Sequence, residues 1–369
     1  MNMEFICPTN ELKNALNKVQ YAIPAKSTIS ILEGVLVEAV SDQIILTGYD
    51  QEMGIICRIP AEVKTTGSLV VPAKMFLNIT SLLKDETVQI MLSAQDTLNI
   101  HSGNSHFELK GQSAESYSKL PSVKKENELT ISQIDLKQMI KATEFAISKD
   151  EQRRNLNGAL LKSYDNTYEM VAIDGFRLAM CKKTSAVPLP NLSFVIHGKT
   201  LKQLESMLKD EKQAVTLFTT QNHIQFVFDN VTMISRLIQG EFMPYQNLMT
   251  DEHLTKITLK TKDFQYLIRC AMTVTNNDNL KFPVKLKTDD QSTFHVIEDA
   301  GHTKFNDAIE ADIDGESIDI DFNAVYFRDV LNVIEDEEMT IYFNGKVGPS
   351  FIRPVDGDHF GYLIMPLRR

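Results

Sequence analysis

Residues 4–23, EFICPTNELKNALNKVQYAI, come back as residues 128–147, ELTISQIDLKQMIKATEFAI. The offset is 124 throughout: Glu4-Phe5 falls on Glu128-Leu129, Glu11-Leu12-Lys13 on Asp135-Leu136-Lys137, Leu16 on Ile140, and Ala22-Ile23 on Ala146-Ile147. A third copy passes through Ile257, Asp263-Phe264 and Leu267-Ile268, offset by 128 from the second. Each copy reads as a short strand, then an acidic residue that opens a helix with apolar residues at i, i+4 and i+7 or i+8.

A second unit recurs further along each copy. Residues 68–86, SLVVPAKMFLNITSLLKDE, match residues 193–211, SFVIHGKTLKQLESMLKDE, at an offset of 125. The third version is looser, Ser317-Ile318-Asp319-Ile320 followed by a helical pattern from Ala324 to Ile334. Strand signals follow the helices, as in Thr87-Val88-Gln89-Ile90-Met91-Leu92 and Thr340-Ile341-Tyr342-Phe343. The chain is therefore three copies of a unit that itself holds two strand–helix–strands elements. The polar connectors Pro121–Asn127 and Met249–Thr255 divide it into domains at 1–124, 125–249 and 250–369. The 369 residues suit that number, since a single core rarely grows beyond about 250–300 residues.

Composition narrows the function. Hydrophobic residues at 43% and charged residues at 24% describe an ordinary globular chain. No apolar stretch approaches the roughly 18 residues of a membrane span. The start, Met1-Asn2-Met3-Glu4-Phe5, lacks the features of a signal peptide. Cys7, Cys57, Cys181 and Cys270 are scattered, as buried thiols of a reduced cytoplasm are. The expected location is the cytosol.

Neither glycine-rich phosphate loop occurs, nor do H-E-x-x-H and G-x-S-x-G, so no cofactor, metal or catalytic motif is legible. His101 and His106 lie five apart in a strand-like region, a spacing that puts them on opposite faces of one strand. The acidic run from Asp307 to Asp321 fails the EF-hand pattern, because Gly315 falls at loop position four. Its alternation Ile318-Asp319-Ile320-Asp321 reads as a strand with a solvated face. The alternative reading is a carboxylate- or metal-dependent hydrolase using Asp50, Asp174 or Asp312–Asp321. Against it, Asp50 and Asp174 occupy one repeat position and suit a turn.

The net charge of −11 is unevenly spread. The predicted helices Asn10–Tyr21, Ala73–Lys84, Asp135–Phe145, Lys199–Lys209, Lys262–Met272 and Asn323–Ile334 sum to about +6, which leaves about −17 elsewhere. A mildly basic helical surface on an otherwise acidic protein suits weak, sequence-independent contact with phosphates.

These features resemble the bacterial DNA sliding clamp family, the beta subunits of the DNA polymerase III holoenzyme, along essentially the full chain. The resemblance is carried by Leu46-Thr47-Gly48-Tyr49-Asp50-Gln51-Glu52-Met53, Leu156-Asn157-Gly158, Ala172-Ile173-Asp174-Gly175-Phe176-Arg177-Leu178-Ala179, Gly240-Glu241-Phe242 and Tyr362-Leu363-Ile364-Met365-Pro366-Leu367-Arg368. It implies an α+β clamp fold, with helices lining a ring and antiparallel sheets outside. It implies a non-catalytic processivity factor: a head-to-tail homodimer that encircles duplex DNA and tethers the replicative polymerase, clamp loader, other polymerases and repair proteins.

By the same resemblance, Phe107 and Leu109 meet Thr273 and Val274 of a second copy. Lys26, Arg153 and Arg154 face DNA, with Lys137, Lys141, Lys199 and Lys202 as further inner-helix contacts. A peptide pocket between the second and third domains takes Leu156, Ile173, Gly175, Phe176, Arg177, Leu178, Met243, Leu248, Leu363, Ile364, Met365, Pro366, Leu367 and Arg368. Phe176, Met243 and Asn247 depart from the form compared, where a histidine, a proline and a basic residue stand. An end as apolar as Tyr362–Leu367 is expected to be docked, and Met and Leu side chains make an adaptable groove.

Overall fold

The structure is a computed structural model and describes residues 3–93, 95–249, 253–274, 282–289, 292–345 and 347–367. In the first repeat β1 (Glu4–Pro8) runs directly into α1 (Thr9–Val19), and β2 (Gly34–Val40), β3 (Gln43–Tyr49) and β4 (Met53–Pro60) follow. After β5 (Glu62–Thr65), β6 (Gly67–Pro72) leads into α2 (Ala73–Leu82), then β7 (Thr87–Ser93), β8 (Thr97–Ser102) and β9 (Ser105–Lys110).

The second repeat begins with β10 (Glu128–Ser132), α3 (Gln133–Thr143), β11 (Gly158–Tyr164), β12 (Thr167–Ile173) and β13 (Arg177–Thr184). It continues with β14 (Leu192–His197), α4 (Gly198–Met207), β15 (Ala214–Thr219), β16 (His223–Phe228) and β17 (Val231–Ile238). The third holds β18 (Thr255–Lys260), α5 (Thr261–Val274), β19 (Pro283–Asp289), β20 (Thr293–Asp299), β21 (Lys304–Glu310) and β22 (Asp312–Gly315). It ends with β23 (Asp319–Asn323), α6 (Ala324–Leu331), β24 (Glu338–Phe343), β25 (Ser350–Pro354) and β26 (Phe360–Ile364). The fold is α+β, as expected, and one element order recurs in the three repeats, with the short strands β5 and β22 added in the first and third.

Each repeat's first helix starts at the residue after its strand, earlier than the acidic residue suggests. The backbone explains this. Thr9 N donates to Glu86 O at 2.9 Å, Gln133 N to Gln213 O at 2.7 Å, and Thr261 N to Glu337 O at 2.9 Å. A carbonyl from the opposite half of the repeat thus satisfies one of the orphan donors at the helix start. The apolar spacing read from sequence faces inward: Leu12, Ala15, Leu16 and Val19 on α1, and Phe264, Leu267, Ile268 and Ala271 on α5, are buried. Phe264 stacks edge-on at 5.4 Å to both Phe294 and Phe327. Each such side chain contributes about 1.5–3 kcal/mol by leaving water.

By contact the chain separates into two units, Met1–Gln133 with Ser206–Leu237, and Ile134–Glu205 with Ile238–Arg369. The division passes through the middle repeat, and strand pairing is the reason. In the first unit a sheet runs β10–β15–β16–β17–β4–β3–β2–β6, joined across repeats where Val231 faces Cys57 and Ser235 faces Met53. In the second, β14–β11–β12–β13–β26–β25–β24–β18–β22 is joined where Arg177 faces Ile364 and Cys181 faces Phe360. Among the described residues two further sheets, β5–β1–β7–β8–β9 and β21–β20–β19–β23, have β9 and β21 as outer strands with no partner beyond them.

One sequence expectation fails here. His101 and His106 are not on opposite faces: Gly103, at φ +53°, turns the chain between them, and they face each other across the β8–β9 hairpin. The acidic alternation enters a strand from Asp319 onward, with Ile318 just before it and Ile320 within it buried and Asp319 held by Lys285 at 2.6 Å.

Cys7, Cys57 and Cys181 are buried, and burial pushes their thiols up to about 12, about 12 and about 11. The thiolate is the reactive form, so these three stay inert near neutral pH. Cys270 is partly exposed. A thiol-exchange reagent at pH 8 is expected to titrate Cys270 alone in native protein and all 4 cysteines after denaturation; rapid native reaction at Cys7 or Cys57 would contradict this packing.

Candidate functional site

The seam between β13 and β26 carries an apolar floor on one face. Leu156, Leu160, Val171, Ile173, Leu178, Met180, Val195, Tyr245, Phe351 and Leu363 form a buried cluster, with Ile238, Phe242, Leu248, Met249, Tyr342 and Met365 packed half-exposed upon it. The strand period of two explains the membership: Val171 and Ile173 on β12, Leu178 and Met180 on β13, and Leu363 on β26 share a face. Of the expected pocket residues, Leu156, Ile173, Leu178 and Leu363 lie in the floor, and Leu248 and Met365 on the rim. Phe176 and Met243 are 60% and 41% exposed, large apolar side chains left in water. Met365 N donates to Phe176 O at 2.9 Å, and Leu367 N to Asp321 O at 2.8 Å, so the terminal segment through Pro366 is docked by its backbone. Arg368 lies outside the described residues.

Arg177 and Ile364 do not belong to that floor. They face each other in register, one position out of phase with Leu178 and Leu363, so they point to the opposite face. Ile364 is fully buried there. Arg177 Nε donates to Asp174 Oδ2 at 2.9 Å and its Nη1 to Asp329 Oδ2 at 2.7 Å. Its Nη2 donates to Phe145 O, and the guanidinium lies 4.6 Å from the Tyr326 ring centroid. Side-chain exposures of 12% for Arg177 and 17% for both aspartates make this a mostly dry node.

Asp174 serves a turn. Its Oδ1 accepts from Phe176 N at 2.9 Å and Arg177 N at 3.0 Å, while Gly175 takes φ +94°. Asp50 does the same, accepting from Glu52 N at 3.0 Å and Met53 N at 2.7 Å. Both oxygens are thus engaged locally, in a turn and an ion pair, and the hydrolase reading loses support at Asp174.

Sequence reasoning missed the anchor beneath the rim. Glu169, 5% exposed, accepts from Tyr164 OH at 3.1 Å and from Tyr245 OH. Lys162 Nζ lies 3.8 Å from its Oε1, and Lys182 Nζ 3.9 Å from its Oε2. Burial first, then the Glu169 hydrogen bond and charge, push the Tyr245 hydroxyl far above its ordinary range, so it remains a donor. Tyr245 opens the short helical turn Tyr245–Leu248 that carries Leu248 to the rim. The only available signal was an aromatic within a polar connector.

The basic residues fall in two groups. Lys26 is exposed beyond α1. The Arg153 guanidinium abuts Gly175, and its Nε lies 3.5 Å from Asp150. Arg154 is exposed and opens the turn Arg154–Leu156. Lys137 and Lys141 are on α3, Lys199 and Lys202 on α4. Lys141 lies 3.6 Å from Glu205. Burial and then Glu205 raise the Glu144 carboxyl, with Lys202 and Lys141 opposing, so acids share this surface. Among the proposed subunit contacts, Phe107 is half-buried and Thr273 exposed, whereas Leu109 is buried within its own repeat opposite Leu98.

Replacing Tyr245 with Phe leaves the buried Glu169 short of a donor, at a cost of about 1–3 kcal/mol. A lower urea midpoint with an unchanged m-value is expected; an unmoved midpoint would remove this anchor from the account.

Comparison with known proteins matches the geometry to a family. The N-terminal, central and C-terminal domain models of the DNA polymerase III beta subunit match residues 3–121, 130–244 and 246–368. The beta sliding clamp of Staphylococcus epidermidis is 30% identical, covering 99% of each chain, and that of Staphylococcus aureus is 29% identical over the same shares. The DNA polymerase sliding clamp of Bacillus subtilis superposes with a TM-score of 0.96 at 29% identity, covering 100% of both chains. A DNA polymerase III beta subunit from Eubacterium rectale gives 0.95 at 29%, covering 99% of each. The chain belongs to the DNA polymerase III beta subunit family, the bacterial sliding clamps, whose members are non-catalytic processivity factors.

Proposed function

We propose that two copies of this chain close head to tail into a ring around duplex DNA, and that the groove beside β13 and β26 holds short peptide segments of polymerases, the clamp loader and repair proteins. The observation that carries the closure is that β9 and β21 are edge strands, each without a partner on its outer side among the described residues. In every repeat, the third strand of a first half is β4, β13 or β21, and the third strand of a second half is β9, β17 or β26. Inside the chain β4 pairs with β17 and β13 with β26, which leaves β21 to meet β9 of a second copy. Unpaired edges invite partners, and closing them removes that hazard.

The internal seams supply the register. Gly54, Leu178 and Lys304 each follow the turn closing their hairpin, opposite Tyr49, Ile173 and Asp299. Gly54 faces Ile234, and Leu178 faces Leu363. Counting from the equivalent β8–β9 and β16–β17 turns, Glu108 occupies the position of Ile234. Lys304 then faces Glu108 of the second copy, and Phe305 faces its Phe107. The Phe145–Tyr362 contact at 6.0 Å has Thr273 and Phe107 as its counterparts, which supports the subunit contacts read from sequence.

Retention on DNA rests on threading. A net charge of −11 opposes bulk adhesion, so a few lysines and arginines supply weak phosphate contacts that permit sliding. The apolar floor, with exposed Phe176 and Met243 beside it, suits an extended peptide with apolar anchors.

Charging Phe107 (Phe107→Asp) is expected to yield monomers by sedimentation; a persistent dimer would count against the β9–β21 seam. Glu108→Lys is expected to weaken the dimer and Lys304→Glu to restore it in the double variant; absence of rescue would refute the register. With a clamp loader and ATP, the protein should stay on circular DNA and leave linear DNA. Equal loss from both would end the ring proposal. Deleting Met365–Arg369 should abolish peptide binding while dimers remain.

A further inference from the structure

The β8–β9 hairpin carries a pair of histidines that neither threading nor peptide binding uses. His101 and His106 are register partners, and their Nδ1 atoms lie 3.2 Å apart, with ring centroids 4.3 Å apart and planes 30° from parallel. The tight turn at Gly103-Asn104 makes Ser102–Ser105 the hydrogen-bonded pair that closes the hairpin. The next pair, His101–His106, is then of the non-hydrogen-bonded kind, whose side chains stand closest. The neighbouring residues Leu98, Ile100 and Ser102 turn inward and are buried, so the two rings stand on the outward face.

We propose that His101 and His106 form a binding site for a divalent transition metal ion of the zinc or nickel class. Imidazole nitrogens bind zinc at about 2.0–2.1 Å, and two such ligands 3.2 Å apart subtend an angle of roughly 100° at the metal, close to tetrahedral. A turn of each ring about χ2 brings both lone pairs onto one ion, and the 45% exposure of the His106 side chain leaves room for it. Glu108 Oε1 sits 3.5 Å from His106 Nε2 and orients that ring from its far side, as carboxylates orient ligating histidines. Neutral imidazole suits zinc, copper and nickel above magnesium or calcium, so the hard cations of a replication buffer are poor competitors. Water completes the coordination, since among the described residues no third histidine, cysteine or carboxylate joins the pair.

The test is a titration of the full-length protein with Zn²⁺ by calorimetry, with ring resonances followed by NMR. Expected is one ion per chain, with the signals of His101 and His106 shifting together. His101→Gln, on the inner strand of the hairpin, should weaken binding roughly tenfold or more, while His302→Gln, an exposed histidine elsewhere, should leave it unchanged. Calcium should produce no shift at either ring. The proposal is overturned if no ion binds, if His101→Gln binds zinc as the unaltered chain does, or if only one of the two rings responds.

Discussion

The interaction on which the rest depends is antiparallel pairing between the outermost strands of different repeats. At β4–β17 and β13–β26 the backbone donors and acceptors of one repeat are satisfied by the next, in one register at each seam. A slip of one residue would send Leu178 and Leu363 to the wrong face and lift Arg177 out of its carboxylates. The seam therefore fixes two things at once, the apolar floor on one face and the ion-paired node on the other. That is why contact divides the chain through its middle repeat: each half of that repeat has more to gain from its foreign neighbour than from its own other half.

The node around Arg177 shows what such a seam requires. A guanidinium and two carboxylates, each mostly hidden from water, carry desolvation costs of several kcal/mol apiece, which only close pairing offsets. Here Nε, Nη1 and Nη2 each find an acceptor, in Asp174, Asp329 and the Phe145 carbonyl. Arg177 belongs to the second repeat and Asp329 to α6 of the third. The node thus ties the turn bearing Phe176 to a helix of another repeat.

Much of this was legible in the sequence, for identifiable reasons. Offsets of 124 and 125 survive because turns and buried helix faces tolerate little insertion, so Asp50 and Asp174 could be read as one turn before any coordinates. Leu156, Ile173, Leu178 and Leu363 came from the resemblance, and the fold brings them together in one buried cluster. The failures share a cause, which is that spacing along a chain does not report reversals or neighbours. His101 and His106 looked opposed until a glycine turn folded them together. Arg177 and Ile364 adjoin Leu178 and Leu363 in sequence, and strand alternation puts them on the other face of the sheet. Glu169 carries no signal of its own, because its burial is set by Tyr245, distant in the chain.

The charge pattern follows the same logic at longer range. Summed from sequence, the helices are basic, yet several of their lysines are already engaged. Lys141 meets Glu205 at 3.6 Å, Lys209 meets Asp229 at 3.0 Å, and Lys13 Nζ donates to Leu83 O at 2.7 Å. Each engaged cation is one fewer available to displace counterions from a phosphate backbone. Fewer such contacts mean lower affinity and a shallower dependence on salt. Under the proposed threading that is an advantage, because each strong phosphate contact would add a barrier to movement along the duplex. In the proposed ring these partners would limit grip, and the strand seams would carry the burden of staying closed.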